Sequence, residues 1–125
     1  MSVPKESASA VSPKSTSYLP DQGDIIWLTL DPRVGHEQSG HRPALVLSPK
    51  LLTERTGLAL ICPITSKVKG LPYEVLLKRT KTKGAVLPIH LRSVDATARK
   101  AKFIEKISAT QLEVVLRRVE TLLSR

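Results

Sequence analysis

The residues best equipped for chemistry crowd into one stretch. His36, Glu37, Gln38, His41 and Arg42 fall within seven positions, framed by Gly35, Gly40 and Pro43. Imidazole titrates near neutrality and carboxylate accepts protons, so either supplies a general base. The planar fork of Arg42 suits a clamp on a phosphate, with Glu37 or His41 holding that fork in position. The plainer alternative is an internal ion pair that ties down the loop, and these residues alone leave the two readings level. Metal ligation is disfavoured, because two histidines five apart with one glutamate between them match no common zinc spacing and His90 is remote in sequence.

A second set lies downstream. Thr65 and Ser66 follow the apolar run LALICPI, where hydroxyls either donate to ligands or cap the turn. Lys67 and Lys69 beside them offer phosphate contacts, which position a nucleic acid without reading its bases, or else simply solvate the loop. Cys62, inside the apolar run and without a histidine near it in sequence, reads as a small core residue rather than a nucleophile. As the single cysteine it forms no intramolecular disulfide, and the cytoplasm is the expected compartment. The aromatics are limited to Tyr18, Trp27, Tyr73 and Phe103, so a surface built on several stacking platforms is not expected.

Positioning these residues requires a folded body. Residues 1–20 are rich in Ser, Pro and Ala without apolar periodicity and read as a flexible tail ahead of a domain over 21–125. GDIIWLTLD predicts a first strand that halts at Asp31-Pro32, and DPRVGHEQSGHRP a long polar loop leading to a strand at ALVLS. Long polar loops inside compact domains are usually functional. PKLLTER gives a helical turn at most, ended by Gly57, and LALICPI resumes the sheet. TSKVKG is a polar loop, PYEVLL a strand with Glu74 facing outward, KRTKTKG a basic turn, and AVLPIHLRSVDA two further strands. KAKFIEKI suits an edge strand. Ser108 and Gln111 form a capping-box pair, and Leu112, Val115, Leu116, Val119, Leu122 and Leu123 then fall on one helical face. The pattern is mainly β with α: a small, strongly bent, mostly antiparallel β-barrel closed by a C-terminal helix.

Composition narrows the function. With 125 residues, 41% hydrophobic and 25% charged, the chain is one small globular domain, and no apolar run approaches the roughly 18 residues of a membrane span. The net charge of +9 is concentrated: residues 67–106 hold eleven bases and only three acids, Glu74, Asp95 and Glu105. Such a segment suits a polyanion, nucleic acid first among them, although a basic surface that keeps a small protein soluble has the same signature.

One family matches these residues closely. GDIIWLTLDPRVGHEQSGHRPALVLSP resembles the opening of the MazF/PemK-type toxins, with its GD-opening strand, acidic-Pro turn, G-x-E-Q-x-G-x-R-P loop and V-L-S strand. The similarity continues through ICPITSKVKGLPYEV, a basic turn, an L-R-S-V-D segment and a closing helix, over about residues 21–123. It implies the SH3-like barrel shared by MazF, Kid and CcdB toxins, usually a homodimer with a basic RNA groove. It also implies a sequence-specific endoribonuclease that needs no cofactor or metal, cuts single-stranded mRNA and is neutralised by a small acidic antitoxin of the MazE kind.

Carried over by position, the family's loop arginine is Arg42 and its threonine after the third strand is Thr65. Free guanidinium has a pKa above about 12, so Arg42 suits an electrostatic clamp and proton donor better than a base. Glu37 falls at the family's loop glutamate, a base or an orienter of the arginine, with His41 the alternative base. Ser66, Lys67, Lys69, His90 and Arg92 are the expected RNA contacts. One departure stands out: relatives place Asp-Gln where this chain has Ile89-His90, and Ile89 cannot accept a proton. The competing functions on the same fold are a gyrase-poisoning binder of the CcdB type, whose chains close on Trp-Gly-Ile where this one reads Leu123-Ser124-Arg125, and a noncatalytic RNA-binding module.

Overall fold

Turn and cap residues set where the elements begin and end. The structure, a computed structural model, describes residues 18–29 and 41–125. Along the chain run β1 (Asp24–Thr29), β2 (His41–Val46), α1 (Lys50–Thr56), β3 (Leu58–Thr65), β4 (Val75–Leu76), β5 (Ala85–Val86), a 3-10 turn at Pro88–His90, β6 (Arg92–Asp95), β7 (Lys102–Lys106) and α2 (Ala109–Leu123). The strands pair antiparallel in the order β4-β5-β3-β2-β1-β7. β3 is the hub. One side of it pairs β2, while its start meets β6 (Leu58↔Asp95 through Ile61↔Arg92) and its end meets β5 (Ile64↔Val86, Thr65↔Ala85).

Both faces of this curled sheet are covered, which is why β1 reads as a run of adjacent apolar residues rather than a clean alternation. Ile25, Leu45, Cys62, Ile64 and Val86 face α2, which contributes Val115 with Leu112, Leu116 and Val119 packed alongside. Ile26, Leu28, Ala44, Val46, Ala59, Ile61 and Val94 form a second core on the other face, against Tyr18 and Ala101. Cys62 is fully buried in the first core, and burial pushes its thiol pKa up to about 12, as suits an inert core residue. The apolar stripe of α2 outruns this packing, leaving Leu122 and Leu123 exposed.

Several expectations change. His41, Arg42 and Pro43, read as the end of the long loop, are already strand: they pair with Thr29, Leu28 and Trp27. β3 joins β2 only from Ala44 onward, so Pro43 sits where β2 has one neighbour and its missing N–H costs no ladder bond. PKLLTER is more than a turn. It forms the seven-residue α1, whose first amide, on Lys50, donates to Asp21 at 2.9 Å, and whose end is Gly57 in the left-handed region, donating to the Thr53 carbonyl. PYEVLL contributes strand only at Val75–Leu76. Ahead of β1, Pro20 is fully buried, and the Tyr18 hydroxyl donates to the buried Asp24 carboxylate, which also meets Lys106 Nζ at 2.9 Å. Desolvation first, and then the bond to Asp24, raise the Tyr18 pKa. Half of the capping box is present. Ser108 Oγ accepts from the Gln111 amide at 3.1 Å, but the Gln111 side chain turns away to clasp the Lys78 backbone, accepting from its N–H at 2.9 Å and donating to its carbonyl at 2.6 Å.

Gly84 marks the tightest backbone approach. At φ +128° it lets β5 come so close to β3 that an added Cβ would lie 2.1 Å from the Thr65 carbonyl oxygen. Gly84→Ala is expected to destabilise the protein by more than about 3 kcal/mol in urea unfolding, since two strands must separate to admit the methyl group. Gly57→Ala, with open space around the same atom, should cost only about 1 kcal/mol for its left-handed backbone.

Candidate functional site

Arg42 stands near the start of β2 and Thr65 at the end of β3, on strands that are themselves neighbours. Together with His41, Ser66 and Lys67 they line one cavity of about 630 Å³. Its remaining wall comes from Trp27 of β1, Ile104 of β7 and the turn residues Lys81, Thr82 and Lys83. Among the described residues no carboxylate lines it; they give it a cationic wall and, with Ile64 and Pro43, an apolar floor. Such a hollow suits a phosphodiester: fixed positive charge for the phosphate, apolar surface for what the phosphate carries.

The backbone fixes each wall. Thr65 is held by pairing with Ala85 and by the Gly84 approach to its carbonyl. Its Oγ1 accepts from the Lys67 N–H at 3.0 Å, which leaves the hydroxyl hydrogen to donate elsewhere. The basic turn is restrained more heavily. Glu105, on β7, accepts from Lys81 N at 3.0 Å and from both N and Oγ1 of Thr82 at 2.8 Å each, while Gln111 clasps Lys78. Between these clamps Arg79 adopts a left-handed φ of 61°, a conformation costing about 1 kcal/mol that persists only where neighbours enforce it. The carboxylate of Glu105 is spent on shaping the turn rather than on neutralising the cavity.

The other expected contacts divide. Lys69 and His90 line a separate hollow of about 200 Å³ with Tyr73 and Glu74, and this hollow shares Thr65 and Lys67 with the main cavity. Glu74 does not face outward. Its carboxylate accepts from Lys69 N, Gly70 N and Leu71 N, nesting the loop that carries both lysines. His90 ends the 3-10 turn beside Ile89, which is half exposed, and it does not reach the cavity of Arg42. Arg92 lies in a small cleft of about 100 Å³ on another side of Arg42, with Arg99, whose Nη1 donates to the Thr29 carbonyl at 3.4 Å. Glu37, with His36 and Gln38, lies outside the described residues. Among the described residues no three of His, Cys, Asp and Glu gather into a metal-sized group.

Sequence reasoning passed over Trp27, Lys81, Thr82 and Lys83 as site residues. The charge count did flag the turn, but nothing local in KRTKTKG says that it folds back onto Thr65; the pairing of β5 with β3 and the reach of Glu105 decide that. Trp27 sits within the apolar run of the first strand, where nothing local marks it as facing a cavity.

A bent antiparallel sheet with one covering helix and a cationic hollow at the ends of β2 and β3 defines a small polyanion-handling barrel. The chain belongs to the PemK-like, MazF-like toxins of type II toxin-antitoxin systems, whose family model matches residues 21–123. The endoribonuclease toxin MazF of Escherichia coli is 38% identical over 106 residues, spanning 85% of this chain and 96% of that protein. The Escherichia coli endoribonuclease PemK is 32% identical over 83% of this chain and 82% of its own length. Among solved structures, MazF in a MazE–MazF complex from Deinococcus radiodurans superposes with a TM-score of 0.79 at 41% identity, over 85% of this chain and 97% of that one.

Removing Glu105 tests the clamp on the basic turn. Burial works to raise its pKa, but the hydrogen bonds from Lys81 and Thr82 outweigh it and hold the carboxyl below the usual glutamate range. A carboxyl lowered by folding gives its full stabilisation above the ordinary value near 4.3 and loses it as the pH falls through the lowered one. Hydrogen exchange is expected to show the Lys81 and Thr82 amides protected at neutral pH, deprotected on acidification below that range, and deprotected at all pH values in Glu105→Ala.

Proposed function

We propose that this chain is a toxin endoribonuclease that cuts single-stranded mRNA and thereby blocks translation and growth. The observation that carries this reading is the one cavity that brings together Arg42, the Thr65 hydroxyl and the lysines Lys67, Lys81 and Lys83. RNA brings its own nucleophile. The 2′-oxygen attacks the adjacent phosphorus, the bond from phosphorus to the 5′-oxygen breaks, the 2′-hydroxyl gives up its proton and the departing 5′-oxygen takes one. The products are a 2′,3′-cyclic phosphate, or the 3′-phosphate from its hydrolysis, and a 5′-hydroxyl end. The protein's work is to hold attack in line and to meet the charge gathering on the nonbridging oxygens.

Arg42 clamps those oxygens and donates toward the leaving group. Thr65 donates one hydrogen bond, its oxygen being oriented by the Lys67 amide. His41 is the imidazole in the same cavity and serves as the base, with Glu37 as the alternative; His90, one hollow away, contacts RNA with Lys69. Ser66, Lys67 and Arg92 complete the phosphate track. We further place the protein in the cytoplasm as a homodimer held in check by an acidic, MazE-like antitoxin that folds onto the basic surface. No helix among the described residues is long and apolar enough to cross a membrane.

Incubating the protein with a long unstructured RNA in EDTA is expected to give discrete cuts with 5′-hydroxyl ends. Arg42→Ala should lower kcat by about 10²- to 10³-fold, the scale for one donor to a developing oxyanion. His41→Gln should lower it by about 10²- to 10⁴-fold, the scale of general base catalysis, while His90→Ala leaves kcat near wild type. Salt-sensitive binding of RNA that stays uncut would instead identify a noncatalytic module.

A further inference from the structure

Trp27, the chain's single tryptophan, is the anomaly of β1: Ile26 and Leu28 on either side are buried, while its indole is 42% exposed. It pairs with Pro43 on β2 and Lys102 on β7, and the His41 ring meets it edge-on at a centroid distance of 6.1 Å and an interplanar angle of 81°. Trp27 and His41 line the main cavity, and they also line a second, open hollow of about 350 Å³ together with Lys102. The two rings therefore stand as a partition between the cavity of Arg42 and Thr65 and an aromatic hollow beyond it that holds the Lys102 ammonium. An aromatic face next to a cation is the arrangement that holds a nucleobase by stacking and its phosphate by charge.

We propose that this outer hollow is a nucleotide subsite, in which Trp27 stacks against the base flanking the scissile phosphate and Lys102 meets the next phosphate along the strand. The inference rests on the nuclease reading above and adds to it a binding residue, since the indole stands at the boundary rather than among the groups that move protons. Its occupant is RNA because the hollow adjoins the cationic cavity through the shared pair of rings and sets the Lys102 ammonium beside them. Stacking of this kind tolerates any base, so the subsite anchors the strand in register and leaves sequence reading to other contacts.

The test uses the full chain. The cut site is first mapped in a long RNA, and short oligonucleotides are then made with 2′-deoxyribose at the cleaved position, which removes the nucleophile, and with an abasic residue at either flanking position. Binding of the intact oligonucleotide should quench Trp27 fluorescence. An abasic residue at one flanking position should weaken binding by about 10- to 100-fold in the wild type. Trp27→Leu should weaken binding of the intact oligonucleotide similarly and show no further loss with the abasic one. Trp27→Phe should retain part of the affinity, and both variants should raise KM with kcat changed less than about threefold. Lys102→Ala should lower the slope of log affinity against log salt by about 0.7. Binding with no cost from either abasic residue, or with equal cost in wild type and Trp27→Leu, while the wild type still cuts the long RNA, overturns the subsite alone and leaves the indole to a protein partner. Absence of cutting by the wild type overturns the nuclease reading and the subsite together.

Discussion

The approach of Gly84 to the Thr65 carbonyl is the constraint on which the rest of the site depends. It draws β5 onto the end of β3, and with β5 comes the basic turn that precedes it. Without that contact Thr65 would end a strand in solvent, and the turn carrying Lys81 and Lys83 would be tied to β7 and α2 but not to Thr65. With it, one hydroxyl and two ammonium groups share a cavity with Arg42 from the neighbouring strand. The substitution-sensitive point of the site is thus a backbone contact made by a residue with no side chain.

The second requirement is rigidity under repulsion. Gathering Arg42, Lys67, Lys81 and Lys83 around one hollow costs free energy in the unliganded protein, and mobile lysines would relieve that cost by swinging outward. Two acids near this charge are spent on the backbone: Glu105 holds Lys81 and Thr82, and Glu74 nests the amides of Lys69, Gly70 and Leu71. Even the left-handed Arg79 fits this view, its small strain offset by the clamps on both sides. A charged site built on fixed backbone meets the developing phosphate charge with little reorganisation.

Much of the fold was legible in the sequence because it rests on local signals. The apolar runs at β1 and β3, the cap at Ser108 and the helical stripe from Leu112 to Val119 are read from spacing alone, and the family resemblance carried Arg42 and Thr65 to positions that share one cavity. What escaped was decided by long-range pairing. Pro43 looked like a loop residue because the sequence does not tell that β3 pairs β2 only from Ala44. Gln111 looked like half of a cap because Lys78, thirty-three residues earlier, is not visible as its partner. Trp27 was passed over as a site residue because it lies in an apolar run whose neighbours are core, and the place of His90 outside the cavity of Arg42 is a property of the 3-10 turn at Pro88.

The central claim is that Arg42 and Thr65 act on one phosphate in one cavity. A double-mutant cycle measures it most directly: kcat/KM for cleavage of one defined RNA by wild type, Arg42→Ala, Thr65→Val and the double variant. If both side chains stabilise the same developing charge, the loss in the double variant should fall short of the product of the single losses by about tenfold or more. Losses that multiply to within a factor of about two would place the two residues at independent tasks and contradict the account.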